Sequence, residues 1–230
     1  MKEGENKMKK NYLSNPRHLA VLAMFSALAF VMVLISEAIP KVEGFLSYEP
    51  KDVIVVIAGL LFGPLAGVII SVVVSFIEMI TISATGPIGF LMNVISTCAF
   101  VLPAAWYYKK HRTKKSAVIG LAMSIITMTL AMLLWNYIIT PLYMHVDRNT
   151  VAKMLVPVFL PFNLSKGGIN AGLTLLLYKP VVTALRTSGL VEDEDVAKEK
   201  PKFSAGFFVF SLAVLATFVL AFLALIGVLG

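Results

Sequence analysis

Residues 53–108 read VIVVIAGLLFGPLAGVIISVVVSFIEMITISATGPIGFLMNVISTCAFVLPAAWYY and contain a single charged side chain, Glu78. A helix needs about 20 apolar residues to cross the hydrocarbon core of a bilayer, so this stretch is long enough for more than one crossing. Gly and Pro favour turns, and they divide the stretch at residues 63–64 and 86–87. The pattern therefore predicts three helices. The first of them, about 50–62, is short for a full span, and we expect it to be tilted or sheltered by its neighbours.

The composition of the whole chain indicates that lipid is its main solvent. Of the 230 residues, 58% are hydrophobic and 14% are charged, whereas about a quarter of a soluble domain is charged. The net charge of +7 comes from basic residues that lie between apolar blocks, which is typical of cytoplasmic loops and not of a nucleic-acid surface. Four further apolar stretches predict helices at about 18–36, 116–140, 154–185 and 203–229.

The distribution of Lys and Arg predicts the orientation in the membrane. Residues 2–17 contain five of these side chains and residues 109–115 contain five more, so both segments are expected in the cytoplasm. The first helix carries the chain out of the cytoplasm, and three further crossings return it there by residue 109. In this topology 15 Lys and Arg lie inside, and 5 lie outside or in the membrane.

The expected fold class is an all-α integral membrane protein with six bundled helices and an extra C-terminal transmembrane helix. We expect a basic cytoplasmic N-terminus at 1–16, a six-helix membrane domain at 17–187, a charged cytoplasmic linker at 188–202 and the additional helix at 203–230. The additional helix has almost no polar groups, which predicts a plain lipid-facing anchor.

Motifs for catalysis or ATP hydrolysis are absent from the sequence. It contains no phosphate-binding loop, nucleophile elbow or HExxH motif, and its three histidines do not have metal-ligand spacing. We therefore expect no enzyme activity, no catalytic residues and no metal site.

A few polar side chains lie within apolar stretches, where such groups are costly and often functional. In the predicted topology they collect toward the outer side of the membrane, and they are Glu78, Asn93, Asn136, Asn163 and Lys166. Asn side chains both donate and accept hydrogen bonds, so their convergence suits a neutral ligand such as a heteroaromatic ring with N–H and C=O groups, or a polyol.

Structural roles remain open for each of these residues and for a face of small residues. An Asn in a membrane helix can bond to a neighbouring helix, and Lys166 can extend to the headgroups or pair with Glu78. In the first helix, Ala23 and Ala27 lie on one face. That face permits close approach of a helix from this chain or from a partner.

Several stretches together resemble the substrate-binding S components of energy-coupling factor (ECF) vitamin transporters, in particular the riboflavin-specific members. The resemblance covers about residues 17–187 and rests on the first helix with Ala23 and Ala27, FLSYEPKD at 45–52, LFGPLAG at 61–67, GPIG at 86–89 with Asn93, Asn136-Tyr137, and PFNLSKG at 161–167. The seventh helix departs from the family pattern of six.

The resemblance implies that the first outer loop caps an extracellular pocket for riboflavin, with its phosphate FMN as a second candidate ligand. It assigns ligand contacts to Asn136, Asn163 and Lys166, with Leu46 and Tyr48 from the cap. Glu78 and Asn93 correspond to the pocket lining. Riboflavin would be the transported ligand, and no cofactor is implied.

The resemblance also implies a multi-pass protein of a bacterial cell membrane that works with partners. Ala23 and Ala27 would face the transmembrane coupling subunit, and two ATP-binding subunits would supply energy. Two alternatives stay open. One is an S component for another small vitamin. The other is an ion-coupled secondary transporter in which Glu78 carries a proton, although no internal repeat is evident.

Overall fold

The computed structural model describes residues 16–189 and 204–228, and helices make up most of both ranges. In chain order they are α1 (Pro16–Ser36), α2 (Lys51–Phe62), α3 (Pro64–Thr81), α4 (Gly86–His111), α5 (Lys114–Met144), α6 (Arg148–Met154), a π-helical segment (Leu155–Phe159), α7 (Leu160–Thr187) and α8 (Ala205–Leu225). The predicted N-terminal segment, up to residue 15, and most of the charged linker lie outside the described residues.

Within the described residues, six helical units are long and apolar enough to cross a membrane by length and composition, namely α1, α3, α4, α5, the continuous run Arg148–Leu185, and α8. The all-α membrane fold expected from the sequence is thereby confirmed. The helices form a bundle in which α4 packs along α3 and α5, and α7 packs along α5 and α8.

The short helix α2 lies inside this bundle. Its 12 residues span about 18 Å at 1.5 Å per residue, well below the roughly 30 Å of a hydrocarbon core. Eleven of its residues are buried, and it contacts α1, α3, α4 and α7. Neighbouring helices therefore shelter α2 from lipid, as expected. It ends at Gly63, whose φ of 94° lies in a region that Gly occupies without a steric penalty.

Two predicted helix ends were wrong. The fifth helix was expected to end near Thr140–Pro141, but α5 continues to Met144. Pro141 removes one backbone N–H, and a single further turn follows before His145 ends the helix with a φ of 53°. The next helix was expected to begin near residue 154, but the helical run already begins at Arg148. Its π-helical segment contains Pro157, where the regular hydrogen-bond pattern is interrupted.

The C-terminal helix is mostly exposed, as expected for a helix that faces lipid, but it is not a plain anchor, because one of its faces packs on α7. α8 packs antiparallel to α7, with Gly168 opposite Phe218 and Gly172 opposite Leu215. A methyl group on Gly168 would overlap the Phe218 ring, and one on Gly172 would lie 2.9 Å from the Leu215 Cα atom. Two glycines one turn apart thus form a flat face on which α8 sits, an arrangement that favours close helix contact in membranes.

Substituting Gly168 by Ala tests this contact. Ala is favoured over Gly in a helix by about 1 kcal/mol, but overpacking against Phe218 costs about 1–3 kcal/mol. We expect Gly168→Ala to lower the unfolding midpoint of the protein in detergent.

Gly206→Ala serves as the matched control, because no atom lies within 4 Å of a Cβ added at this α8 position; it should leave the midpoint unchanged or slightly raised. In a Phe218→Ala chain the Gly168→Ala substitution should no longer be harmful. If Gly168→Ala lowers the unfolding midpoint equally in the parent and in the Phe218→Ala chain, Gly168 does not act through Phe218.

Candidate functional site

The loop between α1 and α2, residues 37–50 and hereafter the first loop, folds onto the bundle. The Val42 N–H donates to the Leu46 carbonyl oxygen and the Leu46 N–H donates to that of Val42, each at 3.0 Å. The Phe45 ring meets the Phe159 ring edge-on at 6.0 Å. Tyr48 and Glu49 are buried, so the end of the loop leads directly into the interior.

Charged side chains collect where the first loop meets α2, α3 and α7. They comprise three carboxylates and two ammonium groups, those of Glu49, Asp52, Glu78, Lys51 and Lys166. Asp52 and Lys51 are 0% and 1% exposed. A charge that has lost water costs several kcal/mol unless a partner compensates it, so pairing within this group, hereafter the ionic cluster, is required.

Each ammonium group lies between two carboxylates. The Lys51 Nζ atom lies 2.7 Å from a Glu78 oxygen and 3.4 Å from a Glu49 oxygen. The Lys166 Nζ atom lies 2.6 Å from the other Glu49 oxygen and 3.9 Å from Asp52. Glu49 therefore joins the two lysines, and through them it ties the first loop to α2, α3 and α7.

Neutral donors complete the hydrogen bonding of the carboxylates. The Asn93 amide of α4 donates to Glu78 at 2.7 Å, and the Thr97 hydroxyl donates to Asp52 at 2.7 Å. From α7, the Asn170 amide donates to Asp52 at 3.4 Å and to the backbone oxygen of Glu49 at 3.3 Å. Bonds of this kind favour the ionised form of a carboxyl group.

Two groups of the first loop have shifted pKa values. Burial by itself raises the pKa of the Glu49 carboxyl, but the Lys166 and Lys51 ammonium groups outweigh it and lower the pKa to about 2. The stabilisation from Glu49 is thus complete above pH 4.5, the ordinary value, and is lost only as the pH falls toward 2. Burial, assisted by the Asp52 carboxylate, raises the pKa of the Tyr48 phenol, which stays protonated and donates to the Asn170 side-chain oxygen at 2.8 Å.

The structure brings four of the seven predicted ligand-binding residues into or beside the ionic cluster, namely Tyr48, Glu78, Asn93 and Lys166. Glu78 pairs with Lys51, so the suggested pairing with Lys166 was wrong. Lys166 is 5% exposed and binds Glu49, so it does not extend toward the headgroups. The roles of all seven residues toward a ligand stay predictions.

Asn136 and Asn163 hydrogen-bond to backbone oxygens four residues earlier in the chain and not to the cluster. The Asn136 amide donates to the Met132 carbonyl at 2.8 Å, and the Asn163 amide donates to the Phe159 carbonyl at 2.7 Å. Each bond uses one of the two N–H groups of an amide. Gly167 of α7 faces Met128 of α5.

These two asparagines lie on the same side of that Gly167–Met128 contact. α5 and α7 are antiparallel, so Asn136, two turns beyond Met128, and Asn163, one turn before Gly167, are displaced in the same direction. At 1.5 Å per residue their levels differ by about 6 Å. Leu46, the remaining predicted contact, is partly buried in the first loop.

The two alanines predicted to face a partner are exposed on α1, whereas Val21, Phe25 and Ala29 of the same helix are buried. Packing within the described part of the chain therefore does not account for the face of Ala23 and Ala27. Their role in partner binding stays a prediction.

The sequence analysis did not predict three members of the ionic cluster and two of their hydrogen-bond donors, namely Glu49, Lys51, Asp52, Thr97 and Asn170. A signal was present in Glu49-Pro50-Lys51-Asp52, which places three charges directly before an apolar helix. The charge distribution alone predicts Lys51 outside or in the membrane, whereas α2 begins in the interior with Lys51 and Asp52 on its first turn.

Removing one partner of a buried pair should be more harmful than removing both. Lys51→Met leaves Glu78 and Glu49 with one compensating charge fewer, and we expect it to destabilise the protein by about 3–5 kcal/mol. Lys51→Met combined with Glu78→Gln keeps an acceptor for Asn93 and should recover much of this loss. Unfolding midpoints in detergent measure both. A Lys51→Met chain as stable as the parent would contradict the required pairing.

Residues 17–178 match the family model described as "ECF transporter, substrate-specific component". The riboflavin transporter RibU of Staphylococcus aureus (strain TCH60) is 30% identical over 187 residues, covering 79% of this chain and 98% of the relative. The riboflavin transporter FmnP of Bacillus subtilis (strain 168) is 31% identical over 160 residues, covering 66% and 84%.

A solved structure, "Structure and mechanism of the S component of a bacterial ECF transporter", superposes with a TM-score of 0.64 at 32% identity and covers 75% of this chain and 99% of that chain. The matched family and relatives are transport proteins, in agreement with the expectation of no enzyme activity. The chain belongs to the family of substrate-specific components of ECF transporters.

Proposed function

We propose that this chain is the riboflavin-binding subunit of an ECF-type importer. The observation that carries this proposal is that two relatives named as riboflavin transporters are 30% and 31% identical to it over 98% and 84% of their own lengths. Riboflavin would bind from the outside and pass through the membrane with the help of a coupling subunit and two ATP-binding subunits.

The predicted contacts suit the chemistry of this vitamin. Riboflavin joins a flat ring system, which has N–H and C=O groups along one edge, to a polyol chain. The Asn163 and Lys166 side chains are one turn apart on α7 and buried, so both can offer donors to the same ligand. Asn136 would engage the ligand from α5, and Leu46 and Tyr48 would cover it from the first loop.

The balance of buried charge favours a neutral ligand. The ionic cluster has three carboxylates against two ammonium groups, a formal charge of −1. A phosphate carries a charge of about −1.5 to −2 at pH 7, so FMN would be repelled where riboflavin would not. We therefore propose riboflavin as the preferred ligand and FMN as the weaker one.

An orientation with the N-terminus in the cytoplasm is part of this proposal. It places the basic segment 109–115 inside and the first loop outside. The exposed Ala23 and Ala27 face would contact the transmembrane coupling subunit.

The ion-coupled alternative relied on Glu78 as an isolated intramembrane carboxylate. Its two oxygens accept from Lys51 and Asn93, each at 2.7 Å, so the carboxylate is not isolated but is paired with a cation and an amide. The observation that motivated this alternative, a carboxylate without partners in the membrane, therefore does not hold.

Riboflavin binding tests the proposal directly. We expect the purified protein to quench riboflavin fluorescence, and Asn163→Ala to weaken binding by about 1–3 kcal/mol, or roughly 5- to 150-fold, because a buried polar group loses its partner. Lys166→Met should weaken binding to a similar extent. Lys153→Ala, an exposed lysine on α6, is the matched control and should bind normally. A parent protein without any quenching would contradict riboflavin as the ligand.

A double variant separates the loss of a ligand contact from the loss of charge balance. Lys166→Met leaves Glu49 with Lys51 as its remaining cation, and adding Glu49→Gln removes that imbalance. The double variant should regain stability but not affinity, since the ammonium donor is still missing. Recovery of affinity would show that Lys166 acts only through Glu49.

A large side chain on α1 tests the partner face. Ala27→Trp should abolish riboflavin uptake by cells while leaving the affinity of the purified protein unchanged, because Ala27 is exposed. Ala216→Trp places the same side chain at an exposed alanine of α8 and should retain uptake. Loss of uptake and affinity together in Ala27→Trp would instead indicate a folding defect.

A further inference from the structure

Helix α8 lies beyond the part of the chain that matches the family model, which ends at residue 178. The superposed S component is covered to 99% by 75% of this chain, so a quarter of this chain has no counterpart in that structure. Even so, α8 is docked on the glycine face of α7, and its C-terminal end reaches the first loop.

Phe222 makes the contact with the first loop. It is 6% exposed, whereas Phe210 on another side of α8 is 45% exposed. Its ring centroid lies 5.7 Å from that of Tyr48, at an interplanar angle of 57°. Together with Val42 of the loop and Phe162 and Ile169 of α7, these two rings form an apolar cluster separate from the main core.

Tyr48 transmits this contact to the ionic cluster. Its hydroxyl group donates to Asn170 at 2.8 Å, and Asn170 in turn donates to the backbone of Glu49 at 3.3 Å. Glu49 binds Lys166 at 2.6 Å. One side of the Tyr48 ring is therefore held by α8, and its hydroxyl group is held by the helix that carries Asn163 and Lys166.

We propose that Phe222 is a positioning residue that holds the first loop closed through Tyr48, so that α8 slows the release of ligand. The part that concerns release rests on the proposed function, whereas the part that concerns the loop does not. Release requires the loop to open, and each contact made only in the closed state makes opening less frequent.

Cysteine labelling tests the loop without any ligand. Ser47→Cys places a thiol in the first loop, and Cys98→Ala removes the native cysteine of the chain. In this background Phe222→Ala should raise the rate of maleimide labelling about 2- to 12-fold, the factor that corresponds to the loss of one aromatic contact. Phe210→Ala removes an equally large but exposed ring from the same helix and should leave the rate unchanged.

Dissociation kinetics test the consequence for the ligand. Stopped-flow fluorescence should show riboflavin leaving the Phe222→Ala protein about 2- to 12-fold faster, with the Phe210→Ala protein behaving like the parent. An unchanged dissociation rate in Phe222→Ala would overturn the proposal. If the parent protein fails to bind riboflavin, the proposed function falls, and the labelling rates alone decide whether Phe222 holds the loop.

A double-variant cycle distinguishes positioning from general stabilisation. If Phe222 acts through Tyr48, Phe222→Ala should not raise the labelling rate further in a Tyr48→Ala chain. If the two substitutions each raise the labelling rate by their own factor and the factors multiply in the double variant, Phe222 acts elsewhere and the proposal is overturned. Size-exclusion profiles identical to that of the parent establish that each variant is folded.

Discussion

Pairing of buried charge is the constraint on which the interior of this protein depends. Lys51 and Asp52 begin α2 with almost no exposure, so neither can obtain its compensation from water. Lys51 obtains it from Glu49 and Glu78, and Asp52 from Thr97, Asn170 and Lys166. The first loop, α3, α4 and α7 all have to meet at the start of α2.

This constraint also explains how a helix of 12 residues is tolerated in a membrane bundle. The charged groups at its N-terminal end are paired with side chains of the bundle, and its apolar remainder is covered by α1, α3, α4 and α7. Eleven of its 12 residues are buried, and burial in protein is the condition under which short segments are tolerated at membrane depth. The ionic cluster and the short helix therefore depend on each other.

The sequence was sufficient for the helices but not for the contacts between them. Hydropathy and the breaks at residues 63–64 and 86–87 predicted the three central helices, because each signal is local. The pair Glu49–Lys166 joins residues 117 positions apart, and no local pattern indicates which carboxylate a buried lysine meets. The same holds for α8, since Gly168 and Gly172 could be recognised as a docking face only once Phe218 and Leu215 were placed against them.

Lys166 connects the charge balance to the proposed binding of ligand. It is bound to Glu49 at 2.6 Å, and its ammonium group has three donors, so a ligand that takes one of them shares the group with the first loop. A neutral ligand can do so without adding charge to a cluster that is already formally negative. Ligand contact and closure of the loop then reinforce each other, because both keep Lys166, Glu49 and Tyr48 in one arrangement. On this proposal α8 adds stability to the closed loop from outside the family bundle, without touching the ligand itself.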